Sequence, residues 1–316
     1  MQKAALLYNP ASGGNRKRQK EVEAALALLR QAGVNADLVL TNSPAHAGEE
    51  ARKAIAVGCD TVFACGGDGT IHNIVQVLAK TPVALGVLPL GTANALAHDL
   101  RLPMNVAAAA GALLNATPRR ISLGRVDYQE SSESRGMRYF IVAAGVGVDA
   151  HLFYKLHANA KQRIGMAAYY AKAWHLWFAY PMPRFLVEYV ERGTETAQRA
   201  EVTELLSVRI RNFGKVVREL APGASLERDD LRLVACRTAS RLAYLAYVTR
   251  GLLRQSWKIP GIDLFSSTTV TCQYVSREGE ADRAKIYVEA DGELLGSLPV
   301  ELSVVPDALT LLIPSK

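Results

Sequence analysis

Three short loops concentrate the residues able to hold an anion. The first, Cys65-Gly66-Gly67-Asp68-Gly69-Thr70, follows an apolar run from Thr61 to Ala64 and precedes a helical pattern from Ile71 to Leu78. Its glycines let the backbone turn sharply and approach a ligand, amides at the next helix start can receive phosphate oxygens, and Asp68 suits a metal or a hydroxyl. Taken alone, the segment is equally an ordinary strand-to-helix turn. It is accompanied by Asn9-Pro10-Ala11-Ser12-Gly13-Gly14-Asn15 and Leu88-Pro89-Leu90-Gly91-Thr92-Ala93-Asn94, each also placed after an apolar run. Thr41 closes another such run, where it is either a ligand contact or a helix N-cap.

For those loops to meet, the runs must lie side by side. Lys3 to Tyr8, Ala36 to Thr41, Thr61 to Cys65 and Ala84 to Leu88 read as strands, with helical patterns at Lys17 to Gln31, Ala47 to Val57 and Thr70 to Leu78 between them. Alternation of this kind predicts right-handed crossovers and a mostly parallel sheet covered on both faces, whose strand carboxyl ends form the ligand crevice. From about Arg119 the pattern turns to alternating polar and apolar strands at Arg119 to Tyr128, Arg138 to Ala144, Phe185 to Glu191, Leu205 to Asn212 and Thr268 to Val275. Gln129 to Gly136 reads as a hairpin loop, and Gly193 falls where a turn needs it. The expected fold is therefore a three-layer α/β domain over 1–118, a β-rich domain over 119–300 and a closing segment over 301–316.

Length and composition agree, since 316 residues with 49% hydrophobic and 21% charged side chains suit two globular domains and exclude a largely disordered or collagen-like chain. The net charge of +7 favours anionic partners without choosing among them. Cys59, Cys65, Cys236 and Cys272 form no zinc-ligand spacing, so a reducing compartment and no structural zinc are expected. The first residues enter a strand without the apolar core of a signal peptide, which points to the cytoplasm. GxxxxGK[ST], GxSxG and HExxH are absent from the sequence, and Gly145-Val146-Gly147-Val148-Asp149-Ala150 lacks the downstream acid of a dinucleotide site, so it reads as a turn.

Together these segments resemble the diacylglycerol kinase catalytic domain family, in the bacterial lipid kinase branch similar to sphingosine and ceramide kinases. The resemblance spans essentially the whole chain and rests on Asn9 to Gly13, Gly66 to Thr70, Gly91 to Asn94, Gly147 to Ala150 and Asp291-Gly292-Glu293. The Gly-Gly-Asp-Gly turn alone is shared with NAD kinases and phosphofructokinases. What the resemblance implies is an NAD kinase-like pair of domains, the second a β-sandwich, with ATP in the cleft and the last strand returning to the first domain. It places Asn9, Ser12, Thr41, Gly66, Gly67, Asp68, Gly69, Thr70, Thr92 and Glu293 at ATP, makes Asp291 the general base, and implies Mg²⁺ held in part through Asp68. Read without the family, Asp291-Gly292 after the run Lys285 to Val288 is a carboxylate near a substrate hydroxyl or a plain hairpin turn.

Some positions depart from the family. His72 and Asn73 stand where Asn and Glu are usual after the glycine turn, and Ala95 stands where Asp commonly follows Gly-Thr-Ala-Asn. The accessory Mg²⁺ site of the second domain would fall on Ser225, Arg228 and Asp230, where Arg228 opposes a divalent cation.

For the acceptor, Ile164 to Met182 gathers Tyr169, Tyr170, Trp174, Trp177, Phe178 and Tyr180, which suits an acyl groove, a bilayer surface or a helix packed on the sandwich. Arg241 to Lys258 carries Arg241, Arg250, Arg254 and Lys258 among leucines and no acid, as expected of a basic helix on an anionic membrane or of a solvated face. Arg16-Lys17-Arg18-Gln19-Lys20 is the best nucleic-acid patch, but it opens a helix and no nucleic-acid module surrounds it, so no nucleic-acid partner is expected. The expected activity is transfer of the γ-phosphoryl group of ATP to a lipid hydroxyl, diacylglycerol first, at the inner face of the membrane, in phospholipid biosynthesis. The alternatives are a kinase of a soluble alcohol such as NAD or a sugar, and a non-catalytic lipid- or nucleotide-binding protein.

Overall fold

The computed structural model describes residues 1–10, 16–131, 134–150, 180–214, 219–253, 258–275 and 284–315. Ser12 and residues 164–179 of the predicted aromatic helix therefore lie outside the described residues, as do Arg254 and Trp257.

The first domain alternates strands and helices as β1 (Lys3–Tyr8), α1 (Arg16–Gln31), β2 (Asn35–Leu40), α2 (Pro44–Ala56), β3 (Thr61–Gly66), α3 (Asp68–Leu78), β4 (Ala84–Pro89), α4 (Ala95–Asp99) and α5 (Val106–Leu114). All six residues of β3 and of β4 are buried, which is why both read as unbroken apolar runs rather than alternating ones. These strands pair in parallel in the order β4-β3-β1-β2. Strand β1 thus sends its successor β2 to one side and has β3 on the other, making a topological switch point between β1 and β3, where open sheets gather ligands.

The second domain contains β5 (Thr117–Gln129), β6 (Arg135–Phe140), β7 (Ala143–Gly147), β8 (Phe185–Val190), β9 (Ala197–Val202), β10 (Glu204–Val208), β11 (Leu231–Cys236), α6 (Arg241–Leu253), β12 (Ile262–Ser267), β13 (Thr269–Tyr274), β14 (Tyr287–Ala290) and β15 (Glu293–Ile313). One layer runs β12-β11-β10-β7-β14 and the other β9-β8-β13-β15-β5-β6. Val126, Phe140, Val146, Phe185, Leu233, Val270 and Leu302 fill the space between them. Strands β5 and β6 pair antiparallel out to Gln129 and Arg135, and Gly193 takes φ +90° in the β8–β9 turn, as expected.

Strand β15 joins the domains. Its early residues pair with β14, its middle with β5 and β13, and Thr310 and Leu311 pair in parallel with Ala84 and Leu85 of β4. The predicted strand Arg138 to Ala144 is two strands, interrupted at Ile141 and Val142 because their amides turn to the Asp291 carboxylate. The expected basic stripe along Arg241 to Lys258 fails at Arg250. Arg250 is buried under the helix, donates to the Leu220 carbonyl and lies 4.8 Å from the Tyr247 ring centre. Leu242, Val248 and Leu253 are exposed apolar side chains of the same helix.

Candidate active site

The sheet brings Asn9, Thr41 and the loops after β3 and β4 to one rim. Tyr8 accepts a backbone hydrogen bond from Thr41, so the ends of β1 and β2 are level, and the buried Asn9 lies beside them. The Thr41 hydroxyl is buried with no hydrogen-bond partner among the described residues, so it is an unused donor and acceptor at the rim. Its side chain caps nothing, because Ser43 is the N-cap of α2.

The loops after β3 and β4 touch through backbone. A methyl group added at Gly91 would stand 2.5 Å from the Gly67 Cα, and one at Gly66 would stand 2.4 Å from the Thr70 hydroxyl. Asn94 supports this approach from a left-handed φ of 50°, accepting from the Gly91 amide and donating to the Gly91 carbonyl, both at 2.8 Å. Thr92 is exposed at the tip. Gly69 leaves room for Glu293, whose Oε1 would lie 3.2 Å from a methyl group there. The nucleotide residues expected from sequence, Ser12 apart, thus occupy one edge of the sheet.

Asp68 opens α3 and accepts from the Ala95 amide at 2.9 Å. Burial pushes its carboxyl above the usual range, and the negative charge of Asp291 adds to this against the backbone donors. Asp291 comes from the β14–β15 turn, with φ 50°, and its side chain is 1% exposed. Its Oδ1 accepts from the amides of Val142 at 2.8 Å and Ala143 at 3.1 Å, while Oδ2 accepts from Ile141 at 3.0 Å and faces His72 Nδ1 at 3.3 Å.

Both aspartates line one cavity of about 570 Å³ that runs into the second domain. Beyond them its walls are Leu206, Phe213, Leu220, Val234, Tyr244 and Tyr247, with Val248 at the surface end. Three further acids line it, Asp149, Glu204 and Glu289. The carboxylate of Glu204 accepts from the amides of Val148 and Asp149, where β7 ends at Gly147 and a helix begins at Val148 in place of the expected turn. Burial pushes all three carboxyls up, and the charge of Asp149 raises Glu204 and Glu289 further. Sequence reading missed Glu204 and Glu289, which sit in ordinary strand patterns; only the glycines at 145 and 147 signalled a crowded backbone there.

The structure does not support Asp230 as a metal ligand. Its side chain is fully buried, Arg228 approaches both of its oxygens at 2.6 and 2.5 Å, and Arg192 adds a bond at 2.6 Å. Burial pushes this carboxyl up, but the two guanidiniums outweigh it and hold it below the usual range. They fill the place a cation would take. Likewise Arg18 of the predicted basic patch turns inward to the Leu90 carbonyl at 2.6 Å. Among the described residues, no three His, Cys, Asp or Glu side chains are grouped as a metal cage. Asp68, the carboxylate at the phosphate loops, is the residue that would hold a divalent ion, whose chemistry there would be charge neutralisation.

The profile of the diacylglycerol kinase catalytic domain matches residues 3–126, and that of the YegS C-terminal NAD kinase beta sandwich-like domain matches residues 141–313. Diacylglycerol kinase of Bacillus subtilis is 28% identical over 304 residues, covering 95% of this chain and 93% of the relative. That of Mycobacterium tuberculosis is 29% identical over 313 residues, covering 99% and 95%. A crystal structure of a Bacillus anthracis diacylglycerol kinase superposes with a TM-score of 0.71 at 16% identity, covering 99% of this chain and 97% of that one. Yeast NADH kinase complexed with NADH superposes at 0.51 with 10% identity, covering 99% and 84%. The two-domain architecture is that of these kinases, and the protein belongs to the diacylglycerol kinase catalytic domain family.

Proposed function

We propose that the protein transfers the γ-phosphoryl group of ATP to the hydroxyl of a lipid, with diacylglycerol as the first acceptor and phosphatidic acid as its product. The observation that carries this reading is the single cavity shared by Asp68 and Asp291, lined both by Ala93 and Ala95 beside the phosphate loops and by a large set of apolar side chains. A soluble alcohol has no use for walls made of Phe213, Leu220, Tyr244 and Val234, whereas an acyl chain is stabilised by them at about 0.8 kcal/mol per buried CH₂.

Phosphoryl transfer needs alignment, charge neutralisation and a proton acceptor. The amides around Gly66–Thr70 and Gly91, with Asn9, Thr41 and Thr92, bind the nucleotide. Asp68 would hold Mg²⁺ against the phosphates, and the ion would supply neutralisation of charge on the triphosphate. Glu293 closes over Gly69. Asp291 accepts the hydroxyl proton as the acceptor oxygen bonds to the γ-phosphorus and the bond to ADP breaks. Val248 of α6 lines the cavity and is exposed, and Leu242 and Leu253 of the same helix are also exposed, apolar surface for a bilayer from which the lipid enters. In this reading the enzyme works as a peripheral protein on the cytoplasmic face of the membrane.

Incubation with γ-labelled ATP, Mg²⁺ and a total lipid extract tests the assignment. Label in a single organic-extractable phospholipid supports it, and label confined to water-soluble products removes the lipid acceptor.

A further inference from the structure

Three polar residues spaced four apart, Asp68, His72 and Gln76, lie on one face of α3, since four residues return a helix to nearly the same side. Each meets a different part of the site. Asp68 lies at the phosphate loops, His72 at Asp291, and Gln76 at the chain just ahead of the Asp291 donors. The Gln76 amide donates to the Tyr139 carbonyl and accepts from the Tyr139 amide, both at 2.8 Å. That two-pronged bond fixes residues 139–143 against α3, and the amides of Ile141, Val142 and Ala143 are the ones that hold Asp291.

A carboxylate has about four acceptor positions, two on each oxygen. Three of those on Asp291 are filled by backbone amides at 2.8 to 3.1 Å, which cannot leave without unfolding the segment. The fourth is filled by His72 Nδ1 at 3.3 Å, the longest of the set and, among the described residues, the only one from a side chain. A carboxylate accepts, so Nδ1 carries the hydrogen. The imidazole is 4% exposed, so it fills this position to the exclusion of water.

We infer that His72 is a positioning residue that occupies the last acceptor position of Asp291 until a substrate hydroxyl displaces it, and thereby keeps the base from activating water against ATP. This rests on the reading of Asp291 as the proton acceptor. A kinase with its base open to solvent would hydrolyse ATP, with water's oxygen bonding to the γ-phosphorus, its proton passing to Asp291 and ADP leaving. A bulky acceptor bound along the apolar cavity can compensate for the loss of one long hydrogen bond, whereas a single water cannot.

The test compares wild type with His72→Leu, His72→Phe, His72→Asn, Asp291→Asn and the double variant His72→Leu/Asp291→Asn, reading ADP release without lipid and phosphoryl transfer to dioleoylglycerol micelles. Both apolar variants remove the donor while keeping bulk, so a folding defect in one, seen by thermal melting, leaves the other. The expected result is lipid-independent ATP hydrolysis raised roughly three- to tenfold in His72→Leu and His72→Phe, the equivalent of one neutral hydrogen bond. His72→Asn, which keeps an N–H donor on the same face, stays near wild type, and the double variant loses the gain. Unchanged hydrolysis in the apolar variants, with Asp291→Asn inactive on lipid, overturns the role of His72 and leaves the kinase reading standing. Full lipid kinase activity in Asp291→Asn overturns both.

Discussion

Gly67 and Gly91 meet backbone to backbone across the gap between the β3 and β4 loops, with room for a side chain on neither. A methyl group at Gly91 would lie 2.5 Å from the Gly67 Cα and 2.7 Å from the Asn94 amide oxygen. Backbone cannot yield as a flexible side chain can, so Gly91→Ala forces the two phosphate loops apart. The expected outcome is a loss of about 1–3 kcal/mol in stability, the usual range for overpacking, together with ATP affinity at least tenfold weaker. Denaturant unfolding and titration with a fluorescent nucleotide measure the two effects separately.

Thr41 tests the nucleotide rim more gently. Its buried hydroxyl lacks a partner among the described residues, and an unsatisfied buried polar group costs free energy. Thr41→Val should therefore leave the free protein as stable or slightly more stable, while ATP binds roughly three- to tenfold more weakly. A variant that melts lower and binds ATP normally would show the hydroxyl to be structural.

The cavity acids give the protein a pH signature. Burial raises Asp149, Glu204 and Glu289, so in the range just above the ordinary carboxylate pKa the folded chain keeps protons that the unfolded chain has lost. Folding stability from these groups is then full below about pH 4 and falls as pH rises through the raised values. Melting temperatures from pH 5 to 8 should decline, and Glu204→Gln, which cannot titrate, should flatten the decline. An unchanged slope in that variant would take Glu204 out of the effect.

Val248 lines the cavity and is 42% exposed, so it marks the mouth without carrying the fold. Val248→Trp is expected to raise the KM for dioleoylglycerol about tenfold, to affect dioctanoylglycerol less, and to leave the KM for ATP unchanged. Equal losses for both chain lengths would place the acyl chains elsewhere.

Much of this site was legible in the sequence. Strands β1, β3 and β4 are apolar runs because they are wholly or largely buried, and the loops after β3 and β4 stand out because close backbone approach demands small residues. What stayed hidden depends on contacts between distant residues. Asp291 splits one predicted strand into β6 and β7 by drawing Ile141 and Val142 out of the ladder, across a separation of about 150 positions. His72 read only as a departure from the family pattern, since nothing local shows which carboxylate a mid-helix imidazole will face. Strand β15 alternates irregularly because successive stretches pair with β14, β13, β5 and β4 in turn, each burying a different face. Arg250 looked like part of a membrane-facing basic stripe, yet Tyr247 and the Leu220 carbonyl hold it inside.

The most direct test of the account is phosphoryl transfer from γ-labelled ATP to purified dioleoylglycerol in mixed micelles, run beside NAD and glycerol as soluble acceptors at equal concentration. Phosphatidic acid as the labelled product, with the soluble acceptors unlabelled, is the predicted result. Label on NAD or glycerol with none in the lipid phase would contradict it.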